Sequence, residues 1–269
     1  MPDLQHKVQD INSLEKLAGN DTCIHRLHPM VKLLAALFYI LIVASFDRYS
    51  FGRLVPFVFY PAILMALAEI PYPMLLKRMA VALPFCLFAG LSNIVFDRAA
   101  MLHVLTVPVS FGLVSFFTIL LRTYLCVMAV LILVSTVPFS ALAAQLRRLR
   151  VPEILVTVFE MTYRYIGTLL LEASSMFTAY TLRNTRTKGI EMRHSGNFIG
   201  HLLLKSFDRA ERVYNAMKCR GYAVSHSFRE SRKYTGTDYA FLGLVCLSCV
   251  LFRFVDLQSF ITRTIERLL

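Results

Sequence analysis

This 269-residue sequence predicts an all-α, polytopic membrane protein: about five transmembrane helices and a long cytoplasmic pair of helices. Three observations predict it. Hydrophobic residues make up 57% of the chain and charged residues 17%, against about a quarter charged in soluble domains. The mean hydropathy is +0.57. The uncharged residues gather into long runs, and one basic stretch of about a hundred residues separates the last run from the others.

The N-terminal thirty residues are polar and mixed in charge, and apolar sequence begins near Val31. That order does not match a cleaved signal peptide, whose apolar stretch follows a basic start at once. The uncharged runs are Leu33–Phe46, Leu54–Ala68, Met79–Phe96, Ala99–Leu121, Thr123–Leu146 and Tyr239–Phe252. Several fall short of the roughly 20 residues that a perpendicular helix needs. Snorkelling Lys32, Lys77, Arg78 and Arg253 lengthen the effective span. Between Ala99 and Leu146 only Arg122 interrupts the apolar sequence. This region holds either two spans, or a non-spanning segment followed by one long helix.

Charge bias arbitrates. Pro138–Gly236 carries sixteen Lys/Arg against seven Asp/Glu, a net of +9 within a total of +12. Basic excess in an integral membrane protein marks the cytoplasmic side rather than nucleic-acid binding. Four spans before this stretch keep Lys7, Lys16, Arg26, Lys32, Lys77 and Arg78 inside, with Arg48, Arg53 and Arg98 outside. The N-terminus is then cytoplasmic. The expected organisation is an N-terminal segment with four spans (1–137), a cytoplasmic domain (138–236) and a fifth span with its tail (237–269). "TVPVSFG" (Thr106–Gly112) becomes an outer break or re-entrant turn before a long helix from about Leu113 to Val137. Arg122 lies within that helix, and an intramembrane arginine is a functional candidate.

The cytoplasmic stretch opens with "VPEILVTVFEMTYRYIGTLLLEASSMFTAYTLRN" (Val151–Asn184), a proline-started helix whose early turns are apolar nearly all round. Neighbours or the membrane must cover it. A polar, glycine-bearing loop follows, Asn184–Asn197, and then a second helix from about Phe198 to Arg220, closed by Gly221. The two helices repeat at an offset of 37 residues: Ala173, Ala179 and Arg183 match Ala210, Ala216 and Arg220. Small residues so spaced suit two closely crossing helices. Each helix brings an arginine to its last turn, where the helix dipole favours a cation by about 0.3–1 kcal/mol. Taken alone, two dipole-complementing arginines on a solvated face explain the pattern equally well.

At these residues the sequence resembles the transmembrane coupling component of energy-coupling factor (ECF) transporters, in the cobalt-type branch (CbiQ). That family closes two coupling helices with Ala-Arg-Gly/Ser motifs. Here they stand as Leu182-Arg183-Asn184 and, after "DRAERVYNAMK", Cys219-Arg220-Gly221. The resemblance extends to "HPMVKLL" (His28–Leu34) and "LRRLRVPEILVTVFEMTYRYI" (Leu146–Ile166), in order from about residue 22 to 225. Leu182 and Cys219 depart from the usual alanine and Asn184 from glycine or serine; asparagine still tolerates a left-handed cap.

The resemblance implies a scaffold in the cell membrane. It would join two ATP-binding-cassette ATPase subunits to a substrate-capture membrane subunit, with or without a small accessory membrane subunit. The cargo is expected to be cobalt ion for cobalamin supply, with nickel and vitamin importers as relatives of the same type. The chain itself would be non-catalytic and hold no cofactor, ATP and Mg residing on the ATPases. The sequence contains no GxxxxGK[ST] phosphate loop. Its seven histidines suggest no metal site; His25 and His28 read as surface or loop residues. Six cysteines form no disulfide framework, and Cys246 and Cys249 read as packing residues within a span. A conventional ABC permease is the rival. "EAS" (Glu172–Ser174) begins like its loop motif, but Met176 stands where glycine is required. A diphosphate-using membrane enzyme would need clustered aspartates, and none occur.

Overall fold

The computed structural model describes residues 22–47, 50–96, 101–104, 107–183, 191–222 and 234–254. Asn184 and the orientation charges Lys7, Lys16, Arg48 and Arg98 lie outside them. The described residues form helices α1 (Pro29–Ala44), α2 (Phe51–Ala68, with a 3₁₀ turn at Val55–Val58), α3 (Tyr72–Met79) and α4 (Leu83–Phe96). There follow α5 (Phe111–Thr136), α6 (Phe139–Arg148), α7 (Glu153–Arg183), α8 (Met192–Cys219) and α9 (Gly236–Phe254). The all-α class holds, with one addition. Met101–Val104 (β1) and Val107–Ser110 (β2) form an antiparallel hairpin pairing Met101 with Ser110. It occupies the region expected to break before the long helix, and β2 runs directly into α5.

By length and composition, four described helices can cross a membrane: α2, α5, α7 and α9. The bent pair α3 and α4 makes a fifth if counted as one span. The chain is a multi-pass membrane protein. Helix α1, at 16 residues, is short for a span, yet it occupies the centre of one of two compact units.

That unit draws on Leu17–Pro138 and Arg232–Leu269. Ala35, Tyr39 and Val43, one face of α1, are buried against Leu54 and Phe57 of α2, Leu125 and Ala129 of α5, and Val245 and Cys249 of α9. The neighbouring face of α5, Met128 and Ile132, packs on Leu64, Met65 and Ala68 of α2 and on Leu75 of α3. Outward residues such as Leu37, Leu41, Phe117, Val130 and Leu247 are exposed. Lipid is their expected neighbour, because acyl chains solvate apolar side chains as well as another helix does. Gly90 lets α4 approach α5: a Cβ there would lie 2.5 Å from the Phe116 ring.

Both ends of α1 are pinned by the same two helices. At its N-terminus, buried His28 caps the helix, Nδ1 accepting from the Met30 amide at 3.1 Å. The His28 amide donates to Asp238 Oδ1 at 2.8 Å, and Asp238 Oδ2 accepts from the Thr235 amide. Asp238 sits in the first turn of α9, where the helix dipole favours an anion. Buried Lys32 donates to the Thr136 carbonyl at the end of α5 and to the His25 carbonyl, at 3.0 and 3.2 Å. His28 also stacks on Tyr234, with ring centroids 4.3 Å apart. It is therefore buried, not the surface or loop histidine its neighbouring proline suggests. A ring that satisfies the first amides of a helix can be buried at little cost.

At the other end of α1, Arg122 of α5 donates to the carbonyls of Phe46 and Asp47. Arg253 of α9 reaches Ser45 Oγ at 3.3 Å and lies over the Phe46 ring at 4.5 Å. Two guanidinium groups thus meet the negative end of the α1 dipole. Cys249 is buried in the core beside α1 and Cys246 is half-buried; both are free thiols.

The second unit lies within Phe139–Ser231. The break at Val137-Pro138 separates α6 from α5, although the sequence shows one apolar run through it. Helix α6 joins α7 through Phe139 stacked on Tyr163 at 4.2 Å and an Arg147–Glu160 ion pair at 2.8 Å. Between them Arg150 takes a left-handed conformation (φ 63°), and Pro152 precedes the first turn of α7.

Candidate functional site

Three contacts tie α7 to α8, and their order fixes direction. Thr157 near the start of α7 meets Tyr222 just past the end of α8, hydroxyl to hydroxyl at 3.4 Å. Glu172 near the middle of α7 forms an ion pair with Arg209 of α8. Tyr180 near the end of α7 meets His194 in the first turn of α8, at 3.3 Å between Oη and Nδ1. The two helices therefore run antiparallel.

This arrangement sends the two candidate arginines apart. Arg183 ends α7 eleven residues past Glu172, and Arg220 follows α8 eleven residues past Arg209. At 1.5 Å per residue, each lies about 16 Å from the ion pair, on opposite arms, so the two stand roughly 30 Å apart.

The second motif is built as its sequence predicts. Arg220 is the C-cap residue, and Gly221 adopts φ 71°. The Tyr222 amide donates to the Met217 carbonyl and the Gly221 amide to the Lys218 carbonyl, both at 3.0 Å. This double closure satisfies two terminal carbonyls and requires the left-handed residue that glycine supplies without strain. Cys219, Arg220 and Gly221 are all exposed.

In the first motif Arg183 occupies the last turn of α7, and Leu182 beside it is 74% exposed. Asn184 lies outside the described residues. Among the described residues, no carboxylate stands within ion-pair distance of Arg183 or Arg220. Each arm thus presents a free guanidinium, a planar fork that fits a carboxylate with paired hydrogen bonds.

The alanine set is placed differently from its expected crossing contact. Ala173 is half-buried beside Glu172, while Ala179, Ala210 and Ala216 are exposed. At the helix centres stands the Glu172–Arg209 ion pair, with half-buried Leu202 and Val213 on the same face of α8. Helix α8 also begins at Met192, six residues before its predicted start. Its outer face bears exposed Ile199, Leu203, Phe207 and Tyr214. That stripe was legible as helical spacing in "FIGHLLLKSFDRAERVY", but the charges among it drew the reading toward a solvated face. Arg122 belongs to the other unit, where it closes the end of α1.

Comparison with known proteins finds the CbiQ family, described as cobalt transport protein, matching residues 20–230. The energy-coupling factor transporter transmembrane protein EcfT of Acidaminococcus fermentans is 29% identical over 231 residues, 79% of this chain and 84% of its own. The cobalt transport protein CbiQ of Rhodobacter capsulatus is 34% identical over 91 residues, 34% of this chain and 37% of its own. The nickel permease LarQ of Lactiplantibacillus plantarum is 29% identical over 119 residues, 44% of each chain.

Proposed function

The chain belongs to the CbiQ family of ECF-transporter transmembrane components, and we propose that it couples two ATPase subunits to a substrate-capture membrane subunit in an importer of cobalt ion. The observation that carries this reading is the pair of exposed arginines on opposite arms of the α7–α8 hairpin. Two equivalent cations facing away from each other suit two equivalent acidic partners. Each guanidinium seats against a carboxylate in an ATPase groove, and ATP with its Mg is bound there, not on this chain. Closure of the ATPase pair moves the two arms and transmits the movement to the capture subunit.

Cobalt is proposed over nickel on the family description, since the relatives' names include both metals. The arrangement needs α7 and α8 on the cytoplasmic side. Labelling of single introduced cysteines tests that orientation. A membrane-impermeant reagent should reach a site at Arg98 and miss one at Lys188; the opposite pattern removes the ATPase contact altogether.

The test of the coupling role is co-purification from membranes with metal uptake measured in parallel. The chain should bring down an ATPase pair and a membrane partner. Arg183→Glu with Arg220→Glu should release the ATPases and leave the membrane partner bound. Retention of the ATPases by that variant would defeat the reading.

A further inference from the structure

Asp238 is buried in the first turn of α9, and each of its carboxylate oxygens accepts a hydrogen bond from a different backbone amide. Oδ2 accepts from the Thr235 amide at 2.8 Å, and the Asp238 amide donates back to the Thr235 carbonyl at 2.9 Å. This is the acidic half of a capping box, which closes the start of α9. Oδ1 accepts from the His28 amide at 2.8 Å, and His28 is the residue that caps α1. One carboxylate therefore closes two helices whose starts are 210 positions apart in the sequence. Each helix N-terminus carries partial positive charge, so the anion is favoured from both sides.

The place of this carboxylate in the chain gives it a second consequence. The unit that holds α1 loses the chain at Pro138 and regains it at Arg232. Tyr234 and Thr235 thus lie in the strand that returns from α8 and enters α9. Both are held at the start of α1. Thr235 is bound through its amide, and the Tyr234 ring stacks on His28 at 4.3 Å between centroids.

The two crossings are secured differently. Where the chain leaves, Lys32 holds the Thr136 carbonyl, but α5 is also packed along its length on α1, α2, α3 and α4. Where it returns, α9 packs mainly on α1, and its outward residues Leu244, Leu247, Val250 and Leu251 are exposed. A helix packed on one neighbour can slide along it unless its end is fixed. At the far end of α9, Arg253 meets Ser45 at 3.3 Å on the exposed surface, a contact that water replaces at little cost. The buried fastening is at Asp238.

We propose that Asp238 is a positioning residue for transport: it locks α9 to α1, so that a displacement of the strand entering α9 is delivered to the centre of the membrane unit. The proposal rests on the coupling reading above and names the point at which the displacement enters. Without the lock, the strand draws α9 along α1, and ATP is hydrolysed with little transport.

Reconstituted complexes test this, with cobalt ion uptake, ATP hydrolysis and melting temperature measured on one preparation. Asp238→Asn keeps the volume and removes the charge. It offers one acceptor oxygen in place of two and turns an amide donor toward the remaining backbone N–H. The variant should assemble and hydrolyse ATP at the parent rate. Uptake per ATP should fall about tenfold, within the usual range for coupling between distant sites. Asp238→Glu keeps both acceptors, in the residue type that ordinarily fills this capping position, and should hold uptake per ATP near the parent value.

A cap with a structural role alone gives a different result: uptake and hydrolysis fall together with the folded fraction, and uptake per ATP is unchanged. That outcome overturns the proposal, as does a folded Asp238→Glu variant no better coupled than Asp238→Asn. Should Asp238→Asn fail to fold, Tyr234→Ala loosens the same strand at a site 42% exposed, without altering the carboxylate. It should lower uptake per ATP by a smaller factor, and parent coupling in that variant also overturns the proposal. Co-purification separates the two readings. ATPases absent from the parent complex defeat the coupling reading, whereas ATPases present, with parent coupling in Asp238→Asn, defeat this proposal alone.

Discussion

The two units of this chain are held together by opposite means. In the membrane unit, α1 is enclosed by α2, α5 and α9 and fastened at both ends by buried or half-buried polar contacts. In the other unit, α7 meets α8 through an ion pair and two exposed hydroxyl contacts, and the face of α8 that carries Arg209 is only half-buried at Phe198, Leu202, Val213 and Met217. A core of interdigitated side chains resists displacement in every direction, because close packing leaves atoms little room to move into. A helix pair whose facing side chains are half-buried rather than enclosed resists displacement less. On the coupling reading proposed above, the contrast becomes a division of labour: the first unit serves as a post and the second as a lever.

Breaking the post should have the largest effect on stability. Lys32→Met strands the Thr136 and His25 carbonyls, and a buried polar group left unpaired costs about 1–3 kcal/mol. Thermal unfolding in detergent should show a clear loss for this variant, with uptake falling in step with the folded fraction. Gly90→Ala comes next. Its new methyl meets the Phe116 ring at a distance no packed pair tolerates, and overpacking of this kind costs about 1–3 kcal/mol unless the ring turns away. The same unfolding measurement reads it, and Gly90→Ala with Phe116→Leu should recover most of the loss.

The lever should behave differently: function changes while unfolding does not. Gly221→Ala places a Cβ at φ 71°, a strain of about 1 kcal/mol confined to the end of α8. Uptake should fall more than the melting temperature does, because Arg220 is displaced with the cap. Ala216→Leu is the smallest perturbation. The site is exposed, so the chain's own stability should stay within about 0.5 kcal/mol. If uptake nevertheless collapses, a partner covers that face.

Much of this contrast was legible in the sequence, for reasons that differ by element. The end of α8 could be read residue by residue, because a glycine after a basic last turn has few other uses, and φ 71° at Gly221 bears that out. The long helices α5 and α7 followed from sustained apolar sequence. The hairpin at Met101–Ser110 did not. It lies inside an apolar run where neither a period of 2 nor one of 3.6 is discernible. The early start of α8 was hidden by "RHSGN", whose glycine and serine lower helix propensity while tertiary context overrides them. His28 looked like a loop residue because its buried partner, Asp238, is 210 positions away. Within the candidate site, both arginines were visible as a repeat. The antiparallel course that separates them was not, since an offset of 37 residues records similarity and carries no direction.

The central claim is that Arg183 and Arg220 act as the two ends of one lever. It is tested most directly by metal-dependent uptake through the assembled complex carrying Arg183→Ala with Arg220→Ala. The account predicts that each single alanine variant retains part of the uptake, and that the double variant loses it while inserting in the membrane and unfolding at the parent temperature. Uptake by the double variant at the parent rate would contradict it, leaving both arginines as nothing more than helix caps.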